Sequence, residues 1–147
     1  MRQFLRASAS VVVLLLMAAT AFPADPPPIK VGRIYVGSFG MGDNAEEIRT
    51  MLGYELGRRG FKIVDFQPQA DQILSGLLSM KISNGKTTAR VTVFLKTKAG
   101  KMLWNDDIGG TEAGTRTARQ SLQQRANDIA DALKTRTQRA SPNRKKK

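Results

Sequence analysis

The stretch from Gln72 to Thr97 constrains this chain most. Leu74, Gly76, Leu78, Met80 and Ile82 fall on one side of an alternating run, with Ser75, Ser79 and Lys81 on the other, and the alternation resumes after Asn84-Gly85 through Val91, Val93 and Leu95. A period of two is the geometry of a strand with one face toward a core. Asn-Gly suits a type I′ turn, in which both central residues take positive φ. The pattern therefore predicts an antiparallel hairpin. Lys98-Ala99-Gly100-Lys101 supplies a second turn, and Met102-Leu103-Trp104 opens a third antiparallel strand that ends near Ile108, with Trp104 in the core.

The remaining segments supply the cover for this meander. Lys30 to Phe39 reads as a buried strand, because Ile34, Tyr35 and Val36 run consecutively, and Phe61 to Phe66 as a second short buried strand closed by Pro68. Between them Ala45, Ile48, Met51, Leu52 and Leu56 have helical spacing. Asp43 or Asn44 is available as N-cap, Glu46 and Glu47 suit the positive end of the helix dipole, and Arg58-Arg59-Gly60 suits its end. Gly53 and Gly57 suggest that this helix packs closely on the sheet. Gly109-Gly110 and Gly114 form a flexible connection to a closing helix over Thr115 to Thr137, whose stripe is Ala118, Leu122, Ala126, Ile129 and Leu133. The predicted order is β-α-β-β-β-β-α: a single α+β domain over residues 30–137, with a mixed sheet, an antiparallel meander and two helices packed on the sheet.

The ends read differently. Arg2 and Arg6, an uncharged run from Ala7 to Ala21, and Ala19-Thr20-Ala21 form the three parts of a secretory signal peptide over residues 1–21, cleaved after Ala21 or Ala24. The strongly apolar part is shorter than the roughly 20 residues a membrane span needs. Residues 22–29 form a Pro-rich linker, stiffened by Pro26-Pro27-Pro28. The expected location is periplasmic or secreted. The chain has no cysteine, so it forms no disulfide and cannot carry the lipidated cysteine of a bacterial lipoprotein.

Absence of cysteine and histidine also removes Ser-His-Asp and Cys-His catalysis and the His/Cys zinc sites. The expectation is a protein that is not an enzyme, with no catalytic, cofactor-binding or metal-binding residues. Glu46-Glu47 and Asp106-Asp107 are adjacent pairs whose members do not face each other, so neither is a ready acid–base dyad. The Gly40-Met41-Gly42 turn, Ala45 and the later Asp65 match the outline of a dinucleotide-binding strand–turn–helix. The meander that follows is at odds with that fold, and the glycines are read instead as a tight corner.

The net charge of +12 is unevenly spread. Residues 22–133 hold 15 basic and 12 acidic side chains, whereas Lys134, Arg136, Arg139, Arg144, Lys145, Lys146 and Lys147 close the chain with no acid among them. Residues 138–147 read as a disordered basic tail. Those seven cations are the candidate anion-binding residues, for anionic lipid or envelope polysaccharide. No aromatic residue interleaves them to stack on bases, and nucleic acid is not expected as a partner.

Two stretches carry a family resemblance. In ADQILSGLLSMKISNGKTTARVTVFLKTKAGKMLWNDDIG, Ala70, Asp71, Leu74 and Gly76 open the meander, and Gly100, Lys101, Leu103 and Trp104 open its last strand. With IYVGSFGMGDNAEEIRTMLGYELGRRGFKIVDF, this resembles the small α/β domain shared by the curli secretion assembly proteins, the amino-terminal domain of TolB and the outer-membrane activators of penicillin-binding proteins. The resemblance implies an envelope assembly or interaction module and not an enzyme; the expectation is that it binds a protein partner, or a second copy of itself, through the sheet edge or the helix faces. The alternative is a basic module held on anionic lipid or polysaccharide by its tail.

Overall fold

The computed structural model describes residues 26–111 and 117–138. The predicted signal peptide, Gly114 and the cations from Arg139 onward lie outside the described residues. The elements are β1 (Arg33–Val36), α1 (Asp43–Arg58), β2 (Lys62–Val64), β3 (Gln72–Ser83), β4 (Lys86–Thr97), β5 (Met102–Thr111) and α2 (Ala118–Gln138), with a 3-10 turn at Gln67–Gln69. The sheet order is β2-β1-β3-β4-β5. β1 runs parallel to both β2 and β3, and β3, β4 and β5 are antiparallel. The α+β arrangement read from the sequence is the one found.

The hairpin forms as the alternation dictates. Ser83 pairs with Lys86, and Asn84 and Gly85 take φ of 51° and 71°, both positive as a type I′ turn requires. One face of the sheet is covered. Ile34, Val36, Leu74, Val91, Val93, Leu95 and Trp104 pack with Ile48, Leu52 and Leu56 of α1 and Leu122, Ala126, Ile129 and Leu133 of α2. Along β3 the burial fades toward the turn: Leu74 is fully buried, Leu78 and Met80 half-buried, and Ile82 exposed.

The helices are joined by a buried polar network. Glu55 is 3% exposed; its carboxylate accepts from Arg59 Nη1 at 2.7 Å, Gln123 Nε2 at 3.1 Å and Arg58 Nη1 at 3.3 Å. Arg59 Nε also donates to Asp131 Oδ1 at 2.8 Å. A buried carboxylate is tolerable only with such partners. The end of α1 is a Schellman motif: Phe61 N–H donates to Leu56 O and Gly60 N–H to Gly57 O, with Gly60 at φ 88°.

Several local expectations are corrected. Gly42, at φ 95°, is the N-cap of α1, and Asp43 lies within the first turn, so neither Asp43 nor Asn44 caps it. β2 covers only Lys62–Val64 and is half-buried, because it is an edge strand; Phe66 beyond it is exposed. Regular pairing of β1 is limited to Arg33–Val36. Gly109 and Gly110 belong to β5, opposite Arg90 and Ala89, and are no flexible connection. A Cβ on Gly53 or Gly57 would meet nothing within 4 Å, so these glycines do not press on the sheet.

Gly76 is the glycine that packing requires. A Cβ there would lie 2.4 Å from Thr92 O and 2.7 Å from the Phe39 ring. Gly76→Ala must displace β4 backbone or a core aromatic, and should cost about 1–3 kcal/mol, the usual range for overpacking. A chemical denaturation midpoint checks this, with Gly53→Ala as the contrast; Ala at that open helical site should be neutral or stabilising by about 0.5–1 kcal/mol.

Candidate functional site

The most charged region lies where the starts of β1 and β2, the ends of α1 and α2, and the β4–β5 turn converge. Asp71 organises it. Its Oδ2 accepts from Arg33 N–H at 2.8 Å and Arg33 Nε at 3.1 Å, and its Oδ1 from Arg33 Nη2 at 3.1 Å. The Asp71 backbone N–H donates to Arg33 O, and Asp71 O accepts from Lys98 N–H. The side-chain and backbone hydrogen bonds from Arg33 hold the carboxyl down at about 2, from an ordinary 3.8. This gives the acid after Ala70 a structural role: it pins the start of β3 to β1 and to the β4–β5 turn.

Around this clamp the fold gathers cations that are distant in sequence. Lys62 pairs with Arg33 across the β1–β2 ladder. Lys98 Nζ donates to Pro68 O at 2.7 Å. Lys30, Lys101 and Arg136 line one open depression of about 450 Å³ together with Pro27, Pro28 and Met102. Of the seven candidate anion-binding residues, Lys134 and Arg136 are described, and both lie on α2. Lys134 Nζ donates to Arg59 O at 2.9 Å and sits 5.7 Å from the Phe61 ring centre. Arg136 Nη1 donates to Pro26 O at 3.1 Å. The other five lie outside the described residues. Sequence reasoning missed Lys30, Lys62, Lys98 and Lys101, because Lys30 and Lys62 read as strand residues and Lys98 and Lys101 as turn residues, and only the topology collects them.

The acidic pairs are dispersed. Glu46 binds Arg49 at 2.9 Å and Glu47 binds Arg119 at 3.3 Å. Asp107 binds Arg90 at 3.4 Å, while Asp106 Oδ1 accepts the Asp107 N–H at 2.9 Å. The dinucleotide-like corner has positive φ at Gly40 and Gly42, which accounts for the glycines. Asp43 and Glu46 in the first turn of α1 set negative charge where a phosphate would have to sit. Among the described residues no group of three or more Asp, Glu, His or Cys is placed to hold a metal, and no helix is long and apolar enough to cross a membrane.

The second surface is the face of the sheet turned away from the helices. Tyr35 pairs with Ile73, Ser75 with Phe94 and Leu77 with Thr92, and these residues are half-buried except Leu77, which is 62% exposed. Lys96 lies over Phe94, 5.8 Å from its centre. Arg49 of α1 reaches Tyr35 at its margin, donating from Nη2 to the hydroxyl at 3.4 Å and standing 5.7 Å from the ring centre; no described element covers Ile73, Leu77 and Phe94. The outer edge, β5, is guarded by Asp106 and Asp107, since charge on an edge strand, with Asp106 occupying a backbone donor, discourages pairing.

No protein-family model matches the chain, and no curated protein sequence does. Solved structures do. The chain is similar to the PelC dodecamer of Paraburkholderia phytofirmans in two crystal forms. In one the TM-score is 0.60 at 15% identity, covering 76% of this chain and 94% of that chain. In the other it is 0.59 at 13% identity, covering 74% and 94%. Lipoprotein GNA1162 of Neisseria meningitidis gives a TM-score of 0.47 at 12% identity, covering 69% of this chain and 96% of that one. The likeness to PelC establishes a shared fold.

The Asp71 clamp predicts a pH dependence. A carboxyl whose folded pKa is depressed stabilises the fold above its unfolded pKa, and that contribution is lost as pH falls through the folded value. Between about pH 4 and about pH 2 the native chain should lose stability, and Asp71→Asn should flatten that part of the profile. Thermal unfolding of both proteins across this window checks it. Because the pair is solvent-exposed, salt should shrink the difference.

Proposed function

We propose that this chain is a non-enzymatic module of the cell envelope that binds a protein partner through the open face of its sheet. The observation that carries this reading is the group Ile73, Leu77 and Phe94, apolar side chains on the adjacent strands β3 and β4 with the most exposed member, Leu77, at 62%. Apolar surface grouped on one uncovered face marks an interaction site more than scattered exposed residues do. The dispersal of Glu46, Glu47, Asp106 and Asp107 to separate partners supports a role without acid–base chemistry.

Envelope placement rests on the signal-like segment at residues 1–21. The motif resemblance to the curli secretion assembly, TolB amino-terminal and penicillin-binding-protein activator domains belongs to the same reading. The PelC structures of this fold are dodecamers, which makes a second copy of this chain the first partner to test.

Leu77→Lys tests the reading at little cost to the fold, since exposed positions of this kind shift stability by under about 0.5 kcal/mol. A photo-crosslinker at position 77 should capture a discrete protein, self or other, in the native envelope, and the Leu77→Lys chain should lose that association in sedimentation and pull-down at high salt. Truncation after Gln138, which leaves α2 whole, should not. Unchanged association of Leu77→Lys would sink the proposal.

A further inference from the structure

The pole built around the Asp71 clamp has a charge imbalance that the acidic side chains nearby do not offset. Glu55, Asp71 and Asp131 are its carboxylates, and each is held by an arginine of the same region: Arg58, Arg59 or Arg33. Lys30, Lys62, Lys98, Lys101, Lys134 and Arg136 add positive charge beyond those pairs. No carboxylate lines the depression formed by Lys30, Lys101, Arg136, Pro27, Pro28 and Met102. Met102 is 43% exposed, so apolar surface lies among the cations.

The rest of the described chain is balanced, with seven acidic and seven basic side chains. The positive excess therefore sits at this pole, and the molecule presents that end to an anionic surface.

The geometry points to this pole as a docking surface for an anionic phospholipid bilayer. Charge complementarity argues for the occupant, since each cation within reach of an anionic leaflet raises affinity by roughly fivefold. Apolar Pro27, Pro28 and Met102 beside Lys30 and Lys101 suit an interface where headgroups meet acyl chains. A soluble polyanion makes no use of that apolar surface. The site differs from the terminal cations as a group, because Lys30 and Lys101 precede α2. It draws on the envelope placement proposed above but not on the open sheet face.

The test is co-sedimentation of the full exported chain with phosphatidylglycerol/phosphatidylcholine vesicles and with phosphatidylcholine vesicles alone. Binding should need the anionic lipid and fall steeply with salt. Lys30→Glu with Lys101→Glu should weaken it at least about tenfold, while Lys81→Glu with Lys86→Glu, the same charge change at the far hairpin turn, should leave it nearly intact. Lys30→Gln with Lys101→Gln serves if the reversed pair disturbs folding, which circular dichroism reports. Equal losses in the two reversed variants would reduce the effect to net charge and overturn the proposal. So would binding abolished by truncation after Gln138 but untouched by the pole variants. Either of these failures leaves the Leu77 interface standing.

Discussion

The contact between the Phe39 ring and the bare backbone of Gly76 is the constraint on which the rest of the architecture depends. β1 is only four residues long, too short to fix a helix by itself. The chain nevertheless stays on the sheet after Val36: Gly37 N–H donates to Leu74 O, Gly76 N–H to Ser38 O and Leu78 N–H to Phe39 O. That continued pairing carries Phe39 inward, where it is 1% exposed and occupies the space a side chain at position 76 would need. The turn through Gly40 and Gly42 then starts α1 over the core, and the Glu55 network ties α2 to it.

How legible this was in the sequence follows from the range of each interaction. The β3–β4 hairpin was plain because its signals, alternation and Asn84-Gly85, are adjacent in the chain. The glycine in the Ala70-Asp71 motif was visible as a position but not as a reason, since Thr92 and Phe39 supply the reason from other elements. Gly109 and Gly110 look like a linker from composition alone; their β-ladder partners Arg90 and Ala89 make them a strand. Glu55 was passed over although it continues the spacing of Ile48 and Leu52. Burial of an acid becomes intelligible only when Arg59 and Gln123 are brought to it.

Charge shows the same limit. Composition put the excess at the carboxyl end, and the fold moves part of it elsewhere: Lys134 and Arg136 are α2 residues bonded to backbone carbonyls of Arg59 and Pro26, so they belong to the folded body. Arg136 also receives the Ile29 N–H on its own carbonyl at 3.4 Å. The Pro-rich segment is thereby laid beside the end of α2, and the two ends of the described chain meet at one pole. A linear count of charges cannot contain that information, because it depends on which strand ends share an edge.

The two kinds of strand neighbour in the sheet have a consequence for how the chain reaches this state. β3, β4 and β5 are joined by short turns, so their pairing closes small loops. β1 meets β3 only across α1 and β2, from Val36 to Gln72, and loop-closure entropy grows with that separation. A polypeptide delivered amino-terminus first, from a ribosome or a translocation pore, presents β1 and α1 before the strand that holds them. Their apolar faces stay without a partner until β3 emerges, an interval in which self-association competes with folding. The arrival of the meander gives β1 and α1 their partner, and α2, with Leu122, Ala126, Ile129 and Leu133, closes the core last.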